Sequence, residues 1–168
     1  MAWFAEKKDN NPQIVLDVLK KHRLLPENLP YAAAMCNEMG AGHRFQLTVE
    51  GALRCEVFVS SVVPGEQASL VLVPVAEHFR HGYHEDFVEA FAPLFHDLFQ
   101  EMDVRRINAA IPATRSRTKR ALCVLGFSVE GRMKDAVKLH NEEPQDLRVL
   151  GLTKDAYFGQ LTDVAVGE

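Results

Sequence analysis

Between Val104 and Tyr157 the chain changes its hydrophobic period from two to about 3.6 and back to two, an order of elements that few folds accommodate. Arg106 to Ile111 alternates apolar and polar residues, as a half-buried strand does. Ala113 to Leu125 reads as a helix, and Gly126-Phe127 closes it with a glycine suited to the left-handed region. Two more alternating segments follow. Val129, Gly131, Met133, Val137 and Leu139 mark one, Leu147 to Leu152 is the other, and a polar turn from Asn141 to Gln145 joins them. Such a series needs a sheet with helices laid on it.

The residues before this stretch add to the same picture. Pro12 to His22 carries Ile14, Val15, Val18 and Leu19 at helical spacing behind a capping Asn11, and Tyr31 to Met39 forms a second, Ala- and Met-rich helix ended by Gly40-Ala41-Gly42. From His43 the period drops to two, turns at Gly51 and continues through Leu53, Cys55, Val57 and Val59, which predicts a hairpin. The unbroken apolar run Leu70 to Val75 predicts a central strand buried on both faces. Phe87, Phe91, Leu94, Phe95, Leu98, Phe99 and Met102 then line one helical stripe, interrupted by Pro93, where a kink or break is expected. The result is an α+β fold, a mixed sheet flanked by helices.

Composition narrows the function. A net charge of −4 argues against general nucleic-acid binding, although Arg115 to Arg120 is locally basic. No apolar run is long enough to span a bilayer and the first residues lack a signal-like core, so a cytoplasmic location is expected. Cys36, Cys55 and Cys123 are odd in number, widely spaced and set in apolar segments, which reads as three reduced core residues.

Ile107-Asn108-Ala109-Ala110-Ile111, then Thr114 to Phe127 (TRSRTKRALCVLGF), then Ser128-Val129-Glu130-Gly131-Arg132 and later Asp146 to Leu152 follow one another in an order that resembles the GNAT acetyltransferases. The likeness is to the branch similar to ribosomal-protein N-terminal acetyltransferases. It covers His43 to Tyr157, and its most specific part is the step from Leu125-Gly126-Phe127 to Glu130-Gly131. It implies a GNAT fold, a mixed, mostly antiparallel twisted sheet with splayed central strands. It also divides one GNAT-like domain into N-terminal helices (1–42), a hairpin, central strand and cofactor loop-helix (43–102), a strand-helix-hairpin (103–158) and a tail (159–168).

The resemblance implies acetyl-CoA as acyl donor, without a metal, and an amine-bearing acceptor, protein or small molecule. The pyrophosphate of the donor would lie on Ala76 to His84, where Arg80, His81, Gly82, Tyr83 and His84 stand; the usual basic or amide residue is Phe79 and the last small residue is His84. The pantetheine arm would pair with backbone near Val73 and Val75, beside Pro74, which has no N–H to give. Arg115, Thr118 and Lys119 would reach the CoA arm and phosphates. Glu77 and Glu56 are the candidate bases, while Leu122 occupies the position of the usual acid, a tyrosine. His78, His81 and His84, spaced by three beside Glu77, Glu85 and Asp86, form an alternative metal cluster. The alternative function is a catalytically silent GNAT-like binding or structural module in a homo-oligomer or a larger assembly, for example of a phage.

Overall fold

A computed structural model of the chain describes residues 3–75 and 85–166, leaving aside the side chains of residues 85 and 162–166. Its centre is a seven-stranded sheet. In chain order the strands are β1 (Trp3–Lys8), β2 (His43–Val49), β3 (Ala52–Val63), β4 (Gln67–Pro74), β5 (Arg106–Pro112), β6 (Ser128–Val137) and β7 (Gln145–Thr153). In space they run β1-β2-β3-β4-β5-β7-β6, antiparallel throughout except for the β4–β5 pair. The GNAT fold expected from the sequence is thus present.

Two helices, α1 (Pro12–Lys21) and α2 (Leu29–Gly40), cover one face. Each starts on an asparagine: Asn11 Oδ1 accepts the Ile14 N–H at 2.9 Å, and Asn28 Oδ1 accepts the Tyr31 N–H at 2.9 Å. Val15, Leu19, Cys36 and Met39 from these helices bury against Phe58 and Val73 of the sheet. The other face holds the larger core, formed with α3 (Glu85–His96), α4 (Ser116–Val124) and α5 (Lys154–Val166). The phenylalanine stripe lies here, with Phe87, Phe91, Phe95 and Phe99 fully buried. β4 sits between the two cores, sending Leu70 and Leu72 to one and Val73 to the other, as its unbroken apolar run requires.

Four expectations need correction. The N-terminal region also contains a strand, β1, whose side chains are mostly exposed; backbone pairing to β2 and the edge-to-face packing of Trp3 on Phe87 at 5.1 Å hold it, so no apolar alternation announces it. The supposed tail is α5, opened by Thr153 Oγ1 accepting the Ala156 N–H at 3.1 Å and anchored through buried Tyr157. Of the kink or break expected at Pro93, the break is absent: α3 runs through it and widens four residues later into a π turn, Asp97–Glu101. Cys36 and Cys55 are buried, but Cys123 lies on the exposed side of α4.

Glycines set the close approaches. Gly126, at φ +104°, ends α4 in the left-handed region, as its position after Leu125 predicts. Gly42 matters more, because an added Cβ would stand 2.1 Å from the Val59 carbonyl oxygen, so its absence lets the end of α2 press onto β3. Gly42→Ala should cost about 1–3 kcal/mol by overpacking, a fall in Tm on the order of 2–12 °C for a chain of this size. Gly131→Ala, with nothing within 4 Å of the added atom, should melt within about 1–2 °C of the parent. Equal melting of the two variants would contradict this packing.

Candidate active site

β4 and β5 are paired only over Gln67–Ser69 and Arg106–Asn108. Beyond Asn108 they part, and each keeps its outer neighbour: β3 beside β4, β7 beside β5. The ladders show which backbone groups face the gap. Val75 N–H donates to the Arg54 carbonyl at 2.9 Å, so by the alternation of an antiparallel ladder Val73 and Val71 also point toward β3, while Leu72 and Pro74 point into the gap. Ala113 N–H donates to the Asp146 carbonyl at 2.9 Å, which turns Ile111 and Ala109 toward β7 and leaves Ala110 and Pro112 facing inward.

Among the described residues the wedge therefore offers two unpaired N–H donors, those of Leu72 and Ala110. Its mouth is framed by two prolines that have none to give. The polar groups of Val73 and Val75 serve β3, and the Leu72 N–H faces the gap. Pro74 occupies a position where no bond to β3 is lost, which is how a proline survives in a central strand.

Over this gap, on the α1/α2 side, lies a cavity of about 310 Å³. Met35, Met39, Val71, Val137 and Val149 give it apolar walls, and Tyr31, Glu38, Ser61, Asn108, Arg115 and Thr118 contribute polar atoms. Ser61 bends out of β3 at φ +51°, where the β3–β4 register is irregular, and its hydroxyl donates to Glu38 Oε1. Thr118, 7% exposed, lines this cavity and an adjoining wider cleft between the end of α1 and the start of α4. That cleft carries Lys20, Lys21, His22, Arg23 and Arg117, with Pro74 at its edge.

Electrostatic pairing holds the walls in place. Arg115 grips Glu142 through Nη2 at 2.8 Å and donates a further bond to the Arg23 carbonyl at 2.8 Å, tying α4 to the segment after α1. Hydrogen bonds from Arg115 hold the Glu142 carboxyl below its ordinary range, despite partial desolvation. Burial and the neighbouring Lys21 push the His22 imidazole below its ordinary value of about 6.5, against an opposing pull from Glu56.

The residues singled out from sequence fall into three groups. Thr118 lines the cavity, Lys119 is half-exposed on the same helix, and Arg115 reaches the cavity with its guanidinium already engaged. Glu56 is buried beneath α1, where Oε2 accepts Arg44 Nε at 2.9 Å and Oε1 accepts Arg44 Nη2 at 3.0 Å and Gln46 Nε2 at 2.7 Å. A carboxylate so saturated anchors β2 to β3. Glu77, Arg80, His81, Gly82, Tyr83 and His84 lie outside the described residues, as does the histidine cluster; among the described residues no group of three His, Cys, Asp or Glu could hold a metal ion. Leu122 is fully buried in the larger core, so no acid stands at that position. Sequence reasoning missed Tyr31, Met35 and Glu38, whose helix showed only an Ala- and Met-rich pattern.

Two predictions follow from the ion pairs. Glu56→Ala strands Arg44 and should cost about 3–5 kcal/mol, whereas Glu56→Gln, which keeps hydrogen bonding, should melt between that variant and the parent. A Glu56→Ala protein that melts with the parent would contradict the anchoring role. For Glu142, a depressed carboxyl stabilises the fold above its unfolded pKa of about 4.3, and that contribution disappears as pH falls through the lower folded value. The stability gap between parent and Glu142→Gln, on the order of 1 kcal/mol at pH 7, should close as pH drops from about 5 toward 3; a gap that persists unchanged would refute it.

No family model matches the chain, and no curated protein matches it in sequence. Solved structures do match its shape. A GNAT-family acetyltransferase from Bacillus anthracis superimposes with a TM-score of 0.60 at 17% identity, covering 92% of this chain and 98% of that one. Spermidine N-acetyltransferase from Vibrio cholerae, in complex with CoA and spermine, gives 0.65 at 12% identity over 93% and 98% of the two chains. The same Vibrio cholerae enzyme, SpeG, in complex with manganese ions gives 0.60 at 13% identity over 95% and 96%. At such identities the likeness speaks for architecture, and the architecture of this chain is that of the GNAT acetyltransferases.

Proposed function

We propose that the chain moves an acyl group, in the first instance acetyl, from a CoA thioester to a primary amine. The observation that carries this is the β4–β5 wedge. Two strands that part expose backbone donors and acceptors that cost free energy unless matched. An extended arm bearing amide groups, as pantetheine does, would match them as an added strand would. The Leu72 and Ala110 N–H groups would bind such an arm or the thioester oxygen, and Thr118 and Lys119 on α4 would flank it. Arg80, His81, Gly82, Tyr83 and His84 belong to this proposal as the phosphate-binding segment. The solved spermidine N-acetyltransferase complex with CoA and spermine supports both a CoA donor and an amine acceptor.

In the reaction the ammonium first loses a proton to become the neutral amine, whose nitrogen attacks the thioester carbonyl carbon and forms the C–N bond. The oxygen gains charge, then the C–S bond breaks, the nitrogen gives up a second proton, and the departing CoA thiolate takes one up. Donor N–H groups aimed at that oxygen strengthen their hold as charge develops. Holding the two substrates together supplies much of the remaining acceleration, so the chemistry does not demand a dedicated acid where Leu122 stands.

A silent binding module is the second reading, favoured by the two prolines at the mouth of the wedge and by buried Leu122. Thermal melting with acetyl-CoA separates the two. At about 100 times its dissociation constant the donor should add roughly 2.7 kcal/mol of stability, and Lys119→Glu should weaken binding on the order of threefold through lost charge complementarity. No shift at millimolar acetyl-CoA would overturn the transferase reading.

A further inference from the structure

The cavity over the wedge has the chemistry to choose among amines. Its walls are apolar, chiefly Leu24, Met35, Met39, Val71, Val137 and Val149, contributed by both helices' segments, the central strand and the β6–β7 hairpin. Glu38 is the one carboxylate among the described residues that line it. The other charged residue lining it is Arg115, fixed by Glu142 and the Arg23 carbonyl. The volume of about 310 Å³ would hold roughly ten water-sized groups at ~30 Å³ each. Glu38 is exposed at the rim of the cavity, on the β3 side of the wedge. Its Ser61 partner follows Ser60, which pairs with Ser69, and Ser69 pairs with Asn108 where the strands begin to part.

We infer that the acceptor is a monoamine on an apolar body, with its ammonium at Glu38 and its body among the methionines and valines. This rests on the transferase reading above and deepens it. One carboxylate neutralises one ammonium. With the body of the acceptor inside the cavity, a second cationic centre carried on that body would sit against the apolar wall or beside the Arg115 guanidinium, and either placement is unfavourable. Ser61 adds to the selection. Its left-handed backbone points the hydroxyl at Glu38, holding the carboxylate at the rim while leaving its other oxygen to receive the ammonium. The apolar body would displace weakly bound water from the walls, so that attraction by Glu38 and burial of the body act together. Leu72 and Ala110, whose N–H groups face the gap, line the same cavity. Two sources share this chemistry: a free arylalkyl or alkyl amine, and the amino terminus of a polypeptide that begins with a large apolar residue.

The test follows thiol release from acetyl-CoA by the full chain with three acceptors: 2-phenylethylamine, a short uncharged peptide with N-terminal leucine, and spermidine. The inference expects kcat/KM for the better of the first two to exceed that for spermidine by tenfold or more, and which of them leads tells the free amine from the polypeptide. Met35→Trp, which fills the cavity, should raise the KM of the preferred amine at least tenfold while leaving the acetyl-CoA melting shift intact. Glu38→Gln should raise the same KM about tenfold without altering the KM for acetyl-CoA. A preference for spermidine, an unchanged amine KM in both variants, or acetyl-CoA binding with no turnover of either apolar amine would overturn the inference alone. Absence of any acetyl-CoA shift would overturn the transferase reading and this one with it.

Discussion

The parting of β4 from β5 beyond the Ser69–Asn108 pair is the constraint on which the rest of this structure depends. Neighbouring strands in a sheet normally satisfy each other's backbone, and a central gap leaves polar groups without partners in the middle of a fold. Here the gap is stable because each strand is fully supported on its outer side: β4 by a long antiparallel ladder with β3, and β5 by one with β7. The prolines add to this. Pro74 and Pro112 stand at inward-facing positions, so fewer donors are left exposed at the mouth than an ordinary sequence would leave.

Two hydrophobic cores keep the gap from closing. On the α3 side, Leu70 and Leu72 of β4 and Ile107, Ala109 and Ile111 of β5 are buried under the phenylalanine stripe and the inner face of α4. On the α1/α2 side, Phe58 and Val73 are covered, but α2 stops short of the wedge and leaves the cavity. The Arg44–Glu56–Gln46 group locks β2 to β3 beneath α1, and Arg115 ties α4 to the segment after α1 and to the β6–β7 turn. Fixed walls of this kind suit a site whose work is to hold two substrates in register.

Much of this is written locally in the sequence and some is not. The run Leu70 to Val75 declares a strand buried on both faces, and Leu125-Gly126-Phe127 declares a helix end, because each pattern reflects contacts made by neighbouring residues. β1 escapes such reading because it is an edge strand held by its backbone, with Phe4 exposed to solvent. α5 escapes because Gly159, Thr162 and two valines give it weak helical propensity, and Tyr157 anchors it through tertiary packing. The cavity residues Tyr31, Met35 and Glu38 come together with Asn108 and Val149 only through the packing of α2 on β3 that Gly42 permits. The role of Glu56 is set by Arg44, twelve residues away across a hairpin, so its carboxylate alone could not reveal whether it was available.

The central claim is that the wedge exposes backbone donors for an acyl-CoA arm, and amide hydrogen exchange at Leu72 and Ala110 tests it most directly. Without ligand these two amides should exchange faster than those of Val71, Val73 and Ala109, which are bonded to neighbouring strands. With saturating acetyl-CoA they should become protected while their neighbours change little. Slow exchange of Leu72 and Ala110 without ligand, or fast exchange that acetyl-CoA leaves untouched, would contradict the account.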